Sequence, residues 1–242
     1  MDQIQMFTEG DSSLLIVFGN TIQPEITLKV ASAARLIREQ GIRGIVDLIP
    51  AYASLLVNYD PRVISYDRLK LRLENLLRRE LRTEETGRRV FEIPVCYGGE
   101  YGPDLQNVAD HAGLSPQEVI RIHTSRDYLV CMLGFLPGFC YLGGLDERIH
   151  TPRLPTPRVR IPAGSVGIGG SQTGIYPLDS PGGWQLMGMT PVLMYDPNRS
   201  VPIPLSAGDY IRFTEIGREE YARIRGLDAE KRVPVQVSGG GV

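Results

Sequence analysis

Lysine is scarce in this chain. Only Lys29, Lys70 and Lys231 occur among 242 residues, against 23 arginines. None lies between positions 71 and 230, so a phosphate or carboxylate gripped by that stretch must meet arginine, backbone N–H groups, a metal or a partner chain. Arginine's flat fork suits bidentate recognition of such groups, although a GC-rich genome would produce the same skew. Cysteine is also scarce. Cys96, Cys131 and Cys140 show no CxxC spacing, and each reads first as a small buried apolar residue. The odd count, with no basic-then-apolar leader, points to a reducing cytoplasmic setting. No apolar run reaches the roughly 18 residues of a membrane span. The formal net charge of -2 gives no electrostatic reason to expect nucleic acid or an anionic membrane as partner.

Several catalytic signatures are missing too. There is no GxSxG elbow. His111, His123 and His150 lack metal-ligand spacing, so no metal is expected. The run GSVGIGG at 164–170 is followed by Ser171-Gln172-Thr173-Gly174, without the lysine and helix that a phosphate loop needs.

What is present divides near an arginine- and glutamate-rich linker at 82–89. Before it, strand-like runs at 13–18, 45–50 and 54–58 alternate with two helical patterns. The first, 27–40, places Leu28, Ala31, Ala34 and Ile37, with Val30 and Ala33 alongside, near one face. The second, from Ser65 or Asp67 to about 81, carries Leu69, Leu73, Leu76 and Leu77 as its stripe. Strand, helix, strand, strand, helix is most of a split βαβ, or ferredoxin-like, pattern, assigned to residues 1–86. After the linker, 90–95 reads as a strand, Asp104 as the cap of a short helix, and Ser115-Pro116-Gln117-Glu118 as a capping box. Beyond 128, glycine and proline punctuate short apolar runs at 129–133, 165–168 and 192–195, the pattern of a barrel or sandwich. The overall class is α+β. Residues 227–242 are expected to be a flexible tail.

Glycine, proline, arginine and aromatic residues are densest between 134 and 191, a composition that suits a ligand cleft and equally suits barrel turns. His123, near the end of its helix, reads as structural or as site-facing. Residue types alone yield no self-contained catalytic set, which suggests a shared site.

Three segments then carry a resemblance: GFLPGF-x-YLGGLD at 134–146, TPR-x-x-x-PR-x-x-x-PAGSVGI at 151–168, and QTGIYP-x-x-SPGGWQL-x-G-x-TP at 172–191. With PVCYGGEYGPDL at 94–105 and the helix of His123, they make the chain resemble the B-subunit family of 5-oxoprolinases, related to allophanate hydrolase subunit 1 domains. The resemblance implies a cyclophilin-like β-barrel at 87–226 behind the smaller α/β domain. It implies partnership with a second cyclophilin-like chain (the C-type subunit) and with an A-type subunit. Together they open the 5-oxoproline lactam to L-glutamate at the expense of ATP, used with magnesium by the complex rather than bound by this chain alone. Within the motifs, Arg153 and Arg158 are candidates for carboxylate or phosphate binding, with a structural ion pair as the alternative for each. Gln172, Tyr176 and the N–H groups around Ser180, Gly182 and Gly183 would orient the amide, with Phe139 and Trp184 as walls and His123 nearby. Two other readings stay open: a KipI-type inhibitor of a sporulation histidine kinase, and an activity of the urea carboxylase or allophanate hydrolase kind.

Overall fold

The structure is a computed structural model that describes residues 4–21, 23–81 and 89–238. The chain divides into two compact units, Met1–Thr86 and Gly87–Val242. Most of the expected linker at 82–89 lies outside the described residues.

In the first unit, β1 (Gln5–Glu9) and β2 (Ser13–Val17) form a hairpin. Helix α1 (Pro24–Glu39), β3 (Ile45–Pro50), β4 (Ser54–Tyr59) and α2 (Tyr66–Glu80) follow. All pairings are antiparallel, in the order β1-β2-β4-β3. This is the ferredoxin-like order with one substitution: β1, which the sequence pattern does not reveal, occupies the edge that a fourth strand after α2 would take. Side chains alternate along a strand, so Leu14 and Ile16 of β2 and Leu55 and Val57 of β4 face one way. They bury Val30, Ala33 and Ile37 of α1 and Leu69, Leu73 and Leu77 of α2. Fully burying each such aliphatic side chain contributes about 1.5–3 kcal/mol.

The second unit opens with β5 (Arg89–Tyr97), α3 (Leu105–Ala112) and α4 (Pro116–Thr124). The capping box expected at Ser115 and Glu118 is formed, with both reciprocal bonds made. Then come β6 (Asp127–Leu133), β7 (Cys140–Gly143), β8 (Arg158–Ile161), β9 (Ser165–Gly169), β10 (Gln172–Ile175), β11 (Ser180–Gly182) and β12 (Gln185–Met189). Last are β13 (Tyr210–Glu215), α5 (Arg218–Arg225) and β14 (Val235–Ser238).

Seven strands close a barrel in the order β12-β9-β10-β7-β6-β13-β5, sealed where Gly188 and Met189 pair with Tyr97 and Cys96. Strand β5 serves three partners along its length: β13 in parallel, β12 at its end, and β14. The barrel is filled by Ile93, Val95, Val130, Leu142, Val166, Ile168, Ile175, Met187, Ile211 and Phe213, and Val108 and Val119 of the two helices join the same core. Strands β8 and β11 form a separate two-stranded ribbon. No described helix is long and apolar enough to cross a membrane.

Two expectations change. The apolar run 192–195 is not a strand. Val192 and Met194 still enter the core, but Pro191 has no N–H for a ladder and Leu193 N–H goes to the Arg232 carbonyl. The stretch 227–242, expected as a flexible tail, contains a 3₁₀ turn at Ala229–Lys231 and the strand β14 on β5.

Candidate functional site

Strands β9 and β10 show how the site is built. Val166, Ile168 and Ile175 point into the barrel. Alternation therefore sends Gly167, Gly169 and Gly174 to the outer face, where Gln172 also lies. The missing side chains leave a flat bed, and the Trp184 indole lies on it. A methyl group at Gly169 would sit 2.4 Å from Trp184 Nε1, and one at Gly174 would sit 3.0 Å from Cζ3. Phe139 and Tyr176 meet the indole edge-on, at centroid distances of 5.6 and 6.0 Å. Ile161 and Leu186 complete this second cluster, distinct from the barrel core. Each aromatic pair adds about 0.5–1.5 kcal/mol beyond area burial.

The aromatic residues are a buried floor more than open walls. Phe139 and Tyr176 are each 2% exposed and Trp184 is 4% exposed. The Trp184 backbone N–H lies near the Tyr176 hydroxyl. Burial pushes the Tyr176 phenol above its ordinary pKa, while Arg153, that N–H and Arg158 pull the other way, which puts both arginines within electrostatic reach of the ring. Gly182 is shaped by the same tyrosine, since a methyl group there would lie 2.6 Å from Tyr176 Oη. Gly183 accepts a 2.6 Å bond from Leu154 N–H, which ties the Arg153 loop to the cluster.

The two arginines differ. Arg153 is exposed, with its guanidinium carbon 5.9 Å from the Trp184 ring centre. Arg158, on β8, is half-buried and bound at 2.7 Å to Asp104 Oδ1, with a longer 3.4 Å contact to the Trp184 carbonyl. Asp104, expected to cap α3 through its side chain, occupies the N-cap position but makes no such bond. Its carboxylate instead accepts from Arg158 and, through Oδ2 at 2.7 Å, from Leu186 N–H. Asp104 thus ties β8, β12 and the start of α3 together.

Two flanking polar atoms lack a partner among the described residues: Ser180 Oγ and Gln185 Oε1, both buried. Gln185 spends its amide N–H on the Pro152 carbonyl, beside Arg153. An orphaned buried acceptor costs about 1–3 kcal/mol unless something satisfies it, as a bound ligand would. Next to the cluster, Phe135 has φ 70° and is 63% exposed, packed edge-on against Phe139 at 5.6 Å.

The structure thus gathers Phe139, Arg153, Arg158, Tyr176, Gly182, Gly183 and Trp184, with Gln172 and Ser180 alongside. It does not bring His123 there. His123 is fully buried and stacked on Phe213 at 4.5 Å. Its Nε2 lies 2.8 Å from Thr173 Oγ1 and its Nδ1 2.7 Å from Tyr97 Oη. Thr173 donates onward to the Gly167 carbonyl, so Nε2 carries the proton and Nδ1 accepts from Tyr97. Burial holds its pKa down to about 3. His123 is therefore a core pin between α4 and β10, and neither ring nitrogen is left for substrate. The GSVGIGG run is also settled: its centre is the fully buried strand β9, which cannot wrap a phosphate.

Known proteins resemble this chain over most of its length. The family described as "Carboxyltransferase domain, subdomain C and D" matches residues 4–205. The protein named as the B subunit of 5-oxoprolinase in Bacillus subtilis (strain 168) is 47% identical over 222 residues, covering 88% of this chain and 92% of the relative. Its namesake from Escherichia coli O157:H7 is 42% identical over 218 residues, covering 88% and 96%. The chain belongs to the B-subunit family of 5-oxoprolinases. In fold, the solved urea carboxylase of Kluyveromyces lactis is similar at TM-score 0.73 and 21% identity, over 97% of this chain and 24% of that one. Asp104 and Gln185 adjoin the candidate site, and sequence reasoning assigns neither to it. Asp104 looks like a cap, and nothing local marks its partners, 54 and 82 positions away.

Proposed function

We propose that the chain serves as the B subunit of an ATP-dependent 5-oxoprolinase, with an A-type and a C-type subunit as partners. The observation that carries this is the outer-face cluster: an apolar floor with one exposed and one tethered arginine, in a chain whose relatives named as 5-oxoprolinase B subunits match it over nearly their whole length. 5-Oxoproline is a small ring with a carboxylate and an amide, and the cluster offers a counterpart to each part. Arg153 meets the carboxylate while the ring rests over Trp184. Arg158, held by Asp104, presents positive charge where negative charge grows on the amide oxygen. Gln172 and Ser180 orient the amide.

In the overall change, one water adds across the lactam C–N bond to give glutamate, and a second water is consumed as ATP becomes ADP and phosphate. ATP activates the amide oxygen. The residues of this chain bind, orient and neutralise. The Asp104 carboxylate is engaged by Arg158 and Leu186 N–H, and proton transfer is assigned to groups of the partner chains.

The test uses three purified chains. Glutamate should form from 5-oxoproline and ATP only when all three are present. Turnover by the partners alone, at the rate of the full set, would reject the proposal. With this chain present, Arg153→Ala should raise KM for 5-oxoproline more than it lowers kcat.

A further inference from the structure

A concavity of about 650 Å³ lies within the first unit. It is lined by Arg43, Arg62, Arg68 and Arg72, with Val63, Ile64, Leu71 and Asn75 between them. We propose that it is a binding site for a small organic molecule carrying a phosphate chain.

Three observations support this. The first is spacing. Arg68, Leu71, Arg72 and Asn75 fall at i, i+3, i+4 and i+7 of α2, so they form one stripe about 10 Å long. Arg43, from the α1–β3 turn, and Arg62, from the β4–α2 turn, stand on the other wall.

The second is charge. Arg62 is committed to Asp60 through paired bonds of 3.0 and 2.8 Å. Arg43, Arg68 and Arg72 have no carboxylate partner among the described residues. Like charges at i and i+4, such as Arg68 and Arg72, repel and weaken a helix by some tenths of a kcal/mol. On the neighbouring stripe of the same helix, Lys70 faces Glu74 at the same spacing. On this helix the repulsion is therefore left standing along the groove.

The third is the match of size and surface. The volume falls within the usual few hundred to 1,000 Å³ of small-molecule sites, whereas a specific protein interface needs roughly 800 Å² from each partner. Several guanidinium forks converging on one place match the charge density of linked phosphates. Val63 and Leu71, 46% and 61% exposed, offer an apolar wall for an attached organic group. This site does not depend on the lactam reading of the barrel cluster.

The test is calorimetric titration of the full chain with inorganic tripolyphosphate. Binding should be saturable and should weaken with added salt. The exposed pair Arg68→Gln/Arg72→Gln should weaken it at least tenfold. Arg78→Gln/Arg79→Gln, which removes the same charge from the end of the helix outside the groove, should leave it within twofold. Arg43→Gln, on the opposite wall, should weaken it as well and stands in if the α2 pair unfolds. Absence of binding at millimolar tripolyphosphate would overturn the site. So would equal losses in the two double variants, which indicate general attraction, or an oligoglutamate of equal charge binding as tightly as tripolyphosphate.

Discussion

Asp104 and Arg158 stand 54 residues apart in sequence and 2.7 Å apart in space, and the second oxygen of Asp104 takes the Leu186 N–H. A buried carboxylate with both oxygens engaged is costly to break. Asp104→Ala should destabilise the second unit by about 3 kcal/mol, since it strands a half-buried guanidinium and a strand N–H together. Urea unfolding of the two single variants and the double would measure it. A coupling energy between Asp104 and Arg158 below roughly 0.5 kcal/mol would show that the pair is incidental.

Trp184 is the chain's single tryptophan, so its fluorescence reports this site alone. Native emission should be blue-shifted because the indole is buried. Gly169→Ala would drive a methyl group into the ring and should cost about 1–3 kcal/mol, with a red shift of emission. Gly217→Ala, where nothing lies within 4 Å, should leave the emission unchanged and cost less stability, since only the N-cap preference of α5 is lost.

His123 predicts a particular pH dependence. Burial holds its pKa at about 3, against 6.5 ordinarily. Above 6.5 it is neutral whether the chain is folded or not. Below that, the unfolded chain gains a proton that the folded one refuses, so its contribution to stability falls as pH drops from 6.5 towards 3. His123→Gln should be less stable than wild type at pH 7, and the gap should narrow by pH 4.5. A gap that stays constant across this range would rule out a titrating role in stability.

Phe135 holds a left-handed backbone at φ 70°, a conformation that costs a non-glycine residue about 1–2 kcal/mol. Asparagine tolerates it better. Phe135→Asn should therefore keep or raise the thermal midpoint, despite losing the edge contact with Phe139. A marked fall would mean that the aromatic contact outweighs the strain.

Local signals are readable in the sequence and remote ones are not. The leucine stripe of α2 and the capping box at Ser115 are legible because each is settled within a few residues, by helical period or by reciprocal hydrogen bonds. The three motif segments do mark the surface that assembles around Trp184. The strand β1 escapes notice because Gln5–Glu9 is short and mostly exposed, an edge that part-buries only Met6. The run at 192–195 looks like a strand because its residues are apolar, yet burial there needs no ladder. The bond from Asp104 to Arg158 has no local trace, nor does the inward direction of His123.

The parallel pairing of β5 with β13 joins residues about 120 positions apart, Val90 with Tyr210 through to Val95 with Glu215. On the ribosome β5 emerges early, and its apolar edge waits while the rest of the barrel is made. Long-range pairings of this kind are slow to form and leave strand edges open to wrong partners meanwhile. A chain cut anywhere before Tyr210 would keep that edge bare permanently. Such fragments should collect as aggregates rather than as smaller folded barrels.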